Sequence, residues 1–169
     1  MTHLKWIPPL YTAVFPYVCL AALYGEPLRD IFPRHPFRLV GIAWAVGLAA
    51  ALVVLFTRNR WTARELARAN MLIKLVHIPA YVFWFAVGIL FFLFMGAPLS
   101  FVMDVMAIIL SGIVGLAAVL RCRVEGRLTT KAAVVNGILQ FVFCADVFSV
   151  VWVYIKSRKV FGLMPDERR

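Results

Sequence analysis

Five apolar stretches, at 6–24, 39–57, 71–95, 99–120 and 132–155, take up most of this 169-residue chain. Each is close to the roughly 20 residues that a helix needs to cross about 30 Å of hydrocarbon. The segments between them are short and carry nearly all the charge. That alternation points to an all-α fold, an integral membrane bundle of about five transmembrane helices forming a single domain over 1–169. Composition agrees. Hydrophobic residues make up 63% of the chain and charged residues 15%, against about 45–50% and 25% in soluble domains. A soluble fold of this size leaves too much of its surface in water to hide so many apolar side chains. The lipid bilayer is therefore the expected partner, and the cell membrane the expected location.

The first stretch is the least regular. Pro8 and Pro9 suit a helix entrance, but Pro16 interrupts the run, and Lys5 ahead of it gives the segment something of a signal peptide's look. No small-x-small cleavage site follows. A retained span is the main reading, with a cleaved signal or a re-entrant segment as the alternatives.

A formal charge of +10 raises the question of nucleic acid. All but one of the 18 Lys and Arg residues lie between or beside the apolar runs, where they suit anionic headgroups. No basic helix or aromatic RNA-binding strand accompanies them, so no nucleic-acid partner is expected. With five spans, Lys5 and the 58–70 and 121–131 segments put nine basic residues on one side, called here the near end. The 25–38 segment and the tail after Ile155 put eight on the far end. Nine against eight does not orient a chain by the positive-inside rule, although a cytoplasmic N-terminus is slightly favoured. Five spans do require the two termini to lie on opposite faces.

The connections carry local signals. Pro27, Pro33 and Pro36 make 25–37 irregular. Thr62 and Glu65 have capping-box spacing, so the third helix should begin outside the lipid, with Arg60, Arg64 and Arg68 on one face and Trp61 in an interfacial aromatic belt. Gly96 to Pro98 reads as a tight turn, Gly126 as a C-cap or turn and Thr129 as the cap of the fifth helix. Ala107, Ser111 and Gly115 form a small-residue stripe on helix four, as do Gly41, Ala45 and Ala49 on helix two; such stripes let helices approach closely. Cys19, Cys122 and Cys144 show neither disulfide nor zinc spacing. Cys122, between two arginines, reads as an ordinary thiol, with acylation as the alternative.

Ionisable groups inside a span cost about 2.5–3.5 kcal/mol each to insert, so Lys74, His77, Asp104 and Asp146 are the best pointers to a site. Asn70, Lys74 and His77 recur at i, i+4, i+7 and share one stripe of helix three. Asn136 and Gln140 share another on helix five. Facing each other, the stripes would line a polar pocket for a small solute or ion. Pro79 offers no amide to the carbonyl of Leu75 and should kink the helix there, and a carbonyl freed in lipid needs another partner. The alternative is that Lys74 snorkels to the headgroups while His77, Asn136 and Gln140 only tie helices together.

Asp104 and Asp146 both read as nearer the far end. Two acids in one interior cavity would share a proton or hold a cation. Otherwise Asp104 reaches water, and Asp146 is neutral and hydrogen-bonded, with Ser149 nearby. On a straight fifth helix the rise separates Lys74 from Asp146 by roughly 15 Å or more in depth, which argues against a direct ion pair.

The chain carries no HExxH, Walker A or GxSxG motif and no metal-spaced histidines. No catalytic residue, metal or cofactor is expected, and the chain is expected not to be an enzyme. A lipid-modifying activity with His77 as base is the minor alternative. Binding or moving a small solute or ion is the leading expectation, and a membrane-embedded accessory or structural role is the runner-up.

The string Asn70-Met71-Leu72-Ile73-Lys74-Leu75-Val76-His77-Ile78-Pro79-Ala80-Tyr81 resembles an uncharacterised family of small bacterial multi-spanning membrane proteins. Ser111-Gly112, Glu125-Gly126 and Asn136-Gly137-Ile138-Leu139-Gln140-Phe141, with Cys144 and Asp146, fit the same family. The resemblance covers the chain from Asn70 onward. It implies a membrane location, and because the family has no assigned activity it implies no substrate.

Overall fold

A computed structural model describes residues 4–25, 36–90, 96–142 and 145–158. Among these, all regular structure is helical: α1 (Ile7–Tyr24), α2 (Pro36–Phe56), α3 (Ala63–Leu90), α4 (Gly96–Val124), α5 (Thr130–Leu139) and α6 (Ala145–Arg158), with short 3-10 turns at Leu4–Trp6 and Arg58–Arg60. Four helical segments, Leu4–Tyr24, Pro36–Phe56, Ala63–Leu90 and Pro98–Val124, are long and apolar enough to cross a membrane. The expected tight turn at Gly96–Pro98 is instead the first turn of α4, where proline loses no hydrogen bond.

The near end is built by caps. The Thr62 hydroxyl accepts from the Glu65 amide at 3.2 Å, and the Glu65 carboxylate accepts from the Thr62 amide at 2.9 Å, which completes the capping box. Lys5 Nζ lies 2.7 Å from the other Glu65 oxygen, so the start of the chain is tied to the start of α3. Gly126 sits at φ 70°, a conformation that glycine adopts without steric cost. The Arg127 amide reaches back to the Cys122 carbonyl at 2.8 Å and the Gly126 amide to that of Arg123 at 3.1 Å. These two bonds form a Schellman motif ending α4. Thr129 caps α5 by accepting from the Ala132 amide at 3.3 Å.

Glu125 ties these turns together. Its Oε1 accepts from the Ala63 amide at 2.8 Å and from Arg121 Nε at 3.0 Å, while Oε2 accepts from Arg127 Nε at 2.9 Å. Burial pushes this carboxyl up, but the Ala63 amide and the two arginines outweigh it and hold the group below the ordinary glutamate value.

At the centre is α4, 61% of whose spanning window is buried against 22–39% for the other three long helices. It packs against every other helix among the described residues, α1, α2, α3, α5 and α6. Gly47 of α2 admits the side chain of Leu110, which would lie 2.7 Å from a Cβ at that position. The buried face of α2 is therefore Val40, Ala43, Gly47, Ala51 and Val54. The expected packing stripe Gly41, Ala45, Ala49 is exposed, because burying Ala43 and Gly47 turns that stripe outward. Trp61, expected in an interfacial belt, packs against its own chain: it is 2% exposed, its ring 5.0 Å from that of Trp6 in an edge-to-face pair. Cys122 is fully buried, which closes it to acylation in this fold. Cys144 and most of the 25–37 segment lie outside the described residues.

The fifth apolar stretch departs most from expectation. It forms two short helices rather than one, and the second runs back beside the first. Tightened turns from Phe141 to Ile138 and from Val142 to Leu139 end α5. Ser149 of α6 then sits against both Asn136 and Gln140 of α5. Val153 joins Ala133, Leu128, Val119 and Ala63 in a cluster at the near end, and Arg127 Nη1 donates to the Ser157 carbonyl. The α5–α6 pair is thus a hairpin that enters from the near end and returns to it. At 1.5 Å per residue, α5 descends only about 15 Å, against about 42 Å for α3. Lys5 and Ser157 consequently lie at the same end, not at opposite ends as five straight spans require.

Candidate functional site

Where the hairpin turns, the bundle holds a buried ion pair. Asp146 lies in the first turn of α6, and Lys74 lies three turns into α3. Their side chains are about 1–2% exposed and pair through Nζ and Oδ2. This corrects the expectation that the two are too far apart in depth. That estimate assumed a straight fifth helix, whereas the reversal brings Asp146 back to the level of Lys74. Lys74 Nζ makes a second bond, at 2.7 Å, to the hydroxyl of Ser111 on α4, which itself donates to the Ala107 carbonyl at 2.9 Å. Lys74 does not snorkel.

One turn toward the near end, four side chains pass hydrogen bonds in one direction. Asn70 Nδ2 donates to Gln140 Oε1 at 3.1 Å, Gln140 Nε2 to Ser149 Oγ at 2.9 Å, Ser149 Oγ to Asn136 Oδ1 at 2.8 Å, and Asn136 Nδ2 to the Ala132 carbonyl at 2.8 Å. The expected meeting of the Asn70–His77 stripe with the Asn136–Gln140 stripe therefore holds for Asn70 and Gln140. Gly115 of α4 makes room for it. A Cβ there would fall 2.6 Å from Gln140 Cδ, 2.9 Å from Asn70 Nδ2 and closer still to Gln140 Oε1. Asn70 Oδ1 is buried with no partner among the described residues.

His77 faces α1 rather than the hairpin. Its Nε2 lies 3.0 Å from the Thr12 carbonyl and its Nδ1 3.3 Å from the Tyr81 hydroxyl. A carbonyl can only accept, so Nε2 carries the proton and Nδ1 presents its lone pair to Tyr81. The Thr12 carbonyl is available because Pro16, four residues on, has no amide to give it. Near Pro79 the bond falls on a different carbonyl. The Tyr17 hydroxyl donates at 2.6 Å to the Val76 carbonyl, one residue beyond the Leu75 carbonyl that was expected to need a partner, and α3 continues through the proline as a single helix.

Among the described residues, the cavity that Asp104 lines does not include Asp146. That cavity, of about 630 Å³, lies between α3 and α4, with Trp84, Phe85, Gly88, Ser100, Ile108 and Phe141 among its walls. Sequence reasoning assigned no site role to Ser111 or Tyr81, missed Thr12 and Pro16, and set Ser149 beside Asp146 rather than Asn136. Ser111 was legible as the one hydroxyl on the small-residue stripe of α4. The Thr12 carbonyl carried no side-chain signal.

Residues 41–159 match a family described only as being of unknown function, DUF6652, and the chain belongs to that family. The match covers every member of the ion-pair and amide network, and it begins well before Asn70. No curated protein and no solved structure matches the chain.

Proposed function

We propose that this is a non-enzymatic, multi-pass protein of the cell membrane that binds or moves a small ion or solute midway through the bilayer. Asp146 is the acceptor, and Lys74 is the resident counter-ion that an incoming cation or proton displaces. The observation that carries this reading is the buried Lys74–Asp146 pair at the turn of the α5–α6 hairpin. Two physical arguments support it. A buried ion pair rarely adds stability over an apolar pair of similar volume, and ionisable groups at membrane depth commonly mark ion or proton paths. Broken helices whose ends meet near the midplane are also a recurrent way of building a substrate site in transporters, because free backbone groups and a helix terminus face the solute. Here the chain breaks between α5 and α6 next to Asp146, and the C-terminal end of α5, whose carbonyls favour a cation, is the end that supports this reading.

A second reading, an accessory or structural protein without a substrate, draws on the amide chain from Asn70 to Asn136, which ties α3, α5 and α6 together. Reconstitution separates the two. Proteoliposomes carrying a trapped pH dye would be challenged with sodium, potassium or ammonium gradients. Cation-driven proton movement in the wild type, lost in Asp146→Asn and Lys74→Met, is the expected result. A wild type that responds to none of the three, while remaining folded and inserted, overturns the ion-binding reading.

A further inference from the structure

The hairpin covers only part of the depth of the α3–α4 face. Beyond its tip, on the far side of Phe141, the described residues leave a cavity of about 630 Å³ on that face. Gly112 seats the roof: a Cβ there would lie 2.7 Å from the Phe141 ring, so Phe141 rests directly on the α4 backbone. The walls are apolar except for two groups on successive turns of α4, Ser100 and Asp104. Ser100 is 5% exposed. Its Oγ and Asp104 Oδ1 are both buried with no hydrogen-bond partner among the described residues.

Charge singles out Asp104 further. Of the acidic side chains among the described residues, Glu65 is paired with Lys5, Glu125 with Arg121 and Arg127, and Asp146 with Lys74. Asp104 has no cation among the described residues. Asp104 is half-buried, but its Oδ1 is held away from water with no partner among the described residues, and that costs free energy unless the carboxyl protonates or acquires one. A metal ion is a poor candidate, since hard divalent cations need about six oxygen ligands and the site offers one carboxylate and one hydroxyl. The volume lies within the range of about 300–1,000 Å³ typical of small-molecule sites that combine apolar walls with a few placed polar groups. Phe85, Ile89 and Phe101, each more than 60% exposed, form an apolar rim. An occupant must therefore enter across an apolar surface and present one cationic donor near Asp104.

We propose that this cavity binds an amphipathic organic cation, a primary ammonium group on an apolar body, with the ammonium between Asp104 and Ser100 and the body against Trp84, Gly88 and Ile108. The site is distinct from the Lys74–Asp146 pair. It rests on the membrane-spanning reading, but not on ion movement.

The test uses the full chain in phosphatidylcholine nanodiscs, with incorporation verified first, so that a failure to insert is not mistaken for a failure to bind. Calorimetric titration compares dodecylamine with dodecanol, each corrected against empty nanodiscs. The wild type should bind the amine saturably and about tenfold or more tightly than the alcohol, as expected for one charge-assisted hydrogen bond. Asp104→Asn should bring the amine to the level of the alcohol. Val105→Trp, which narrows the cavity while leaving the carboxylate in the sequence, should abolish saturable binding of both. Phosphatidylethanolamine in the nanodisc distinguishes sources. Competition with dodecylamine identifies the occupant as a lipid headgroup's ammonium, and its absence identifies a free amphipathic amine. A wild type with no preference for amine over alcohol, or a preference unchanged by Asp104→Asn, overturns the proposal.

Discussion

Pro16 of α1 creates the acceptor that His77 of α3 uses. Without an amide at Pro16, the Thr12 carbonyl has no helical partner, and His77 Nε2 supplies one from 3.0 Å away. The two residues are coupled through an atom belonging to neither. Pro16→Ala returns an amide to the helix, and His77→Phe removes the donor. Each single change should cost about 1–3 kcal/mol where it leaves a buried polar group unmatched. In the double variant the amide restored by Pro16→Ala satisfies the carbonyl that position 77 no longer reaches. A double-mutant cycle on thermal unfolding in detergent should show a coupling of about 0.5–3 kcal/mol; additive losses would mean the two act independently.

Lys74 and Asp146 should behave asymmetrically under substitution. Removing one partner strands a buried charge, so Lys74→Met or Asp146→Leu alone should destabilise by about 3–5 kcal/mol. The double variant Lys74→Met/Asp146→Leu should recover most of that loss, as apolar replacements of buried ion pairs commonly do. If the pair serves ion binding, stability returns and cation-driven proton movement does not. Chemical denaturation with parallel flux measurements reads both.

Gly115 and Gly41 offer a matched contrast. A methyl at Gly115 collides with the Gln140 amide and pushes against Asn70. Gly115→Ala should therefore break the Asn70–Gln140 bond and cost about 1–3 kcal/mol through overpacking. Gly41 has nothing within 4 Å of a built Cβ, so Gly41→Ala should be neutral or stabilising by up to about 1 kcal/mol from helix propensity. Equal melting temperatures for the two variants would contradict the packing described around Gln140.

Acid should loosen the near end through Glu125. Its carboxyl is held below the ordinary glutamate value in the folded chain. Its contribution is thus fully present above the unfolded pKa of about 4.3 and is lost as pH falls through the folded value. Melting temperature should drop as pH is lowered from about 5, and Glu125→Gln should flatten part of that drop. An identical pH profile in the variant would remove Glu125 from the account.

The first four helices were legible because length and apolarity alone specify them, and the capping box and Gly126 marked the ends of α3 and α4. The polar stripe on α3 stood out because Asn70, Lys74 and His77 interrupt an apolar run at helical spacing. The hairpin did not stand out, because no Gly or Pro breaks 139–146 and the run stays apolar through Phe141, Val142 and Phe143. One clue was present. On a straight helix, Asn136 and Gln140 would point about 130° away from Asp146 and Ser149 at 100° per residue, leaving two polar faces looking in different directions. Folding the stretch back on itself brings both to one site. The His77 acceptor was hidden for a different reason: it is a backbone atom exposed by a proline on another helix.

The hairpin also changes the charge balance, and that yields the last prediction. With α6 returning, Lys156 and Arg158 join Lys5, the arginines of 58–68 and the basic residues of 121–131 at the near end, while among the described residues the far end keeps Arg38 alone. In the full sequence the 25–38 segment adds only Arg29 and Arg34. Nine against eight becomes a strong excess, and basic residues close to span ends set orientation. In a membrane, both termini should therefore face the cytoplasm, and the 25–38 segment should lie on the other side. Reporter fusions at Met1 and after Arg158 should give the same cytoplasmic signal, and a single cysteine at Arg34 should react with an impermeant thiol reagent from outside. Termini reporting opposite compartments would mean that 132–155 crosses the bilayer as one helix, and the Lys74–Asp146 pair would then have no geometric basis.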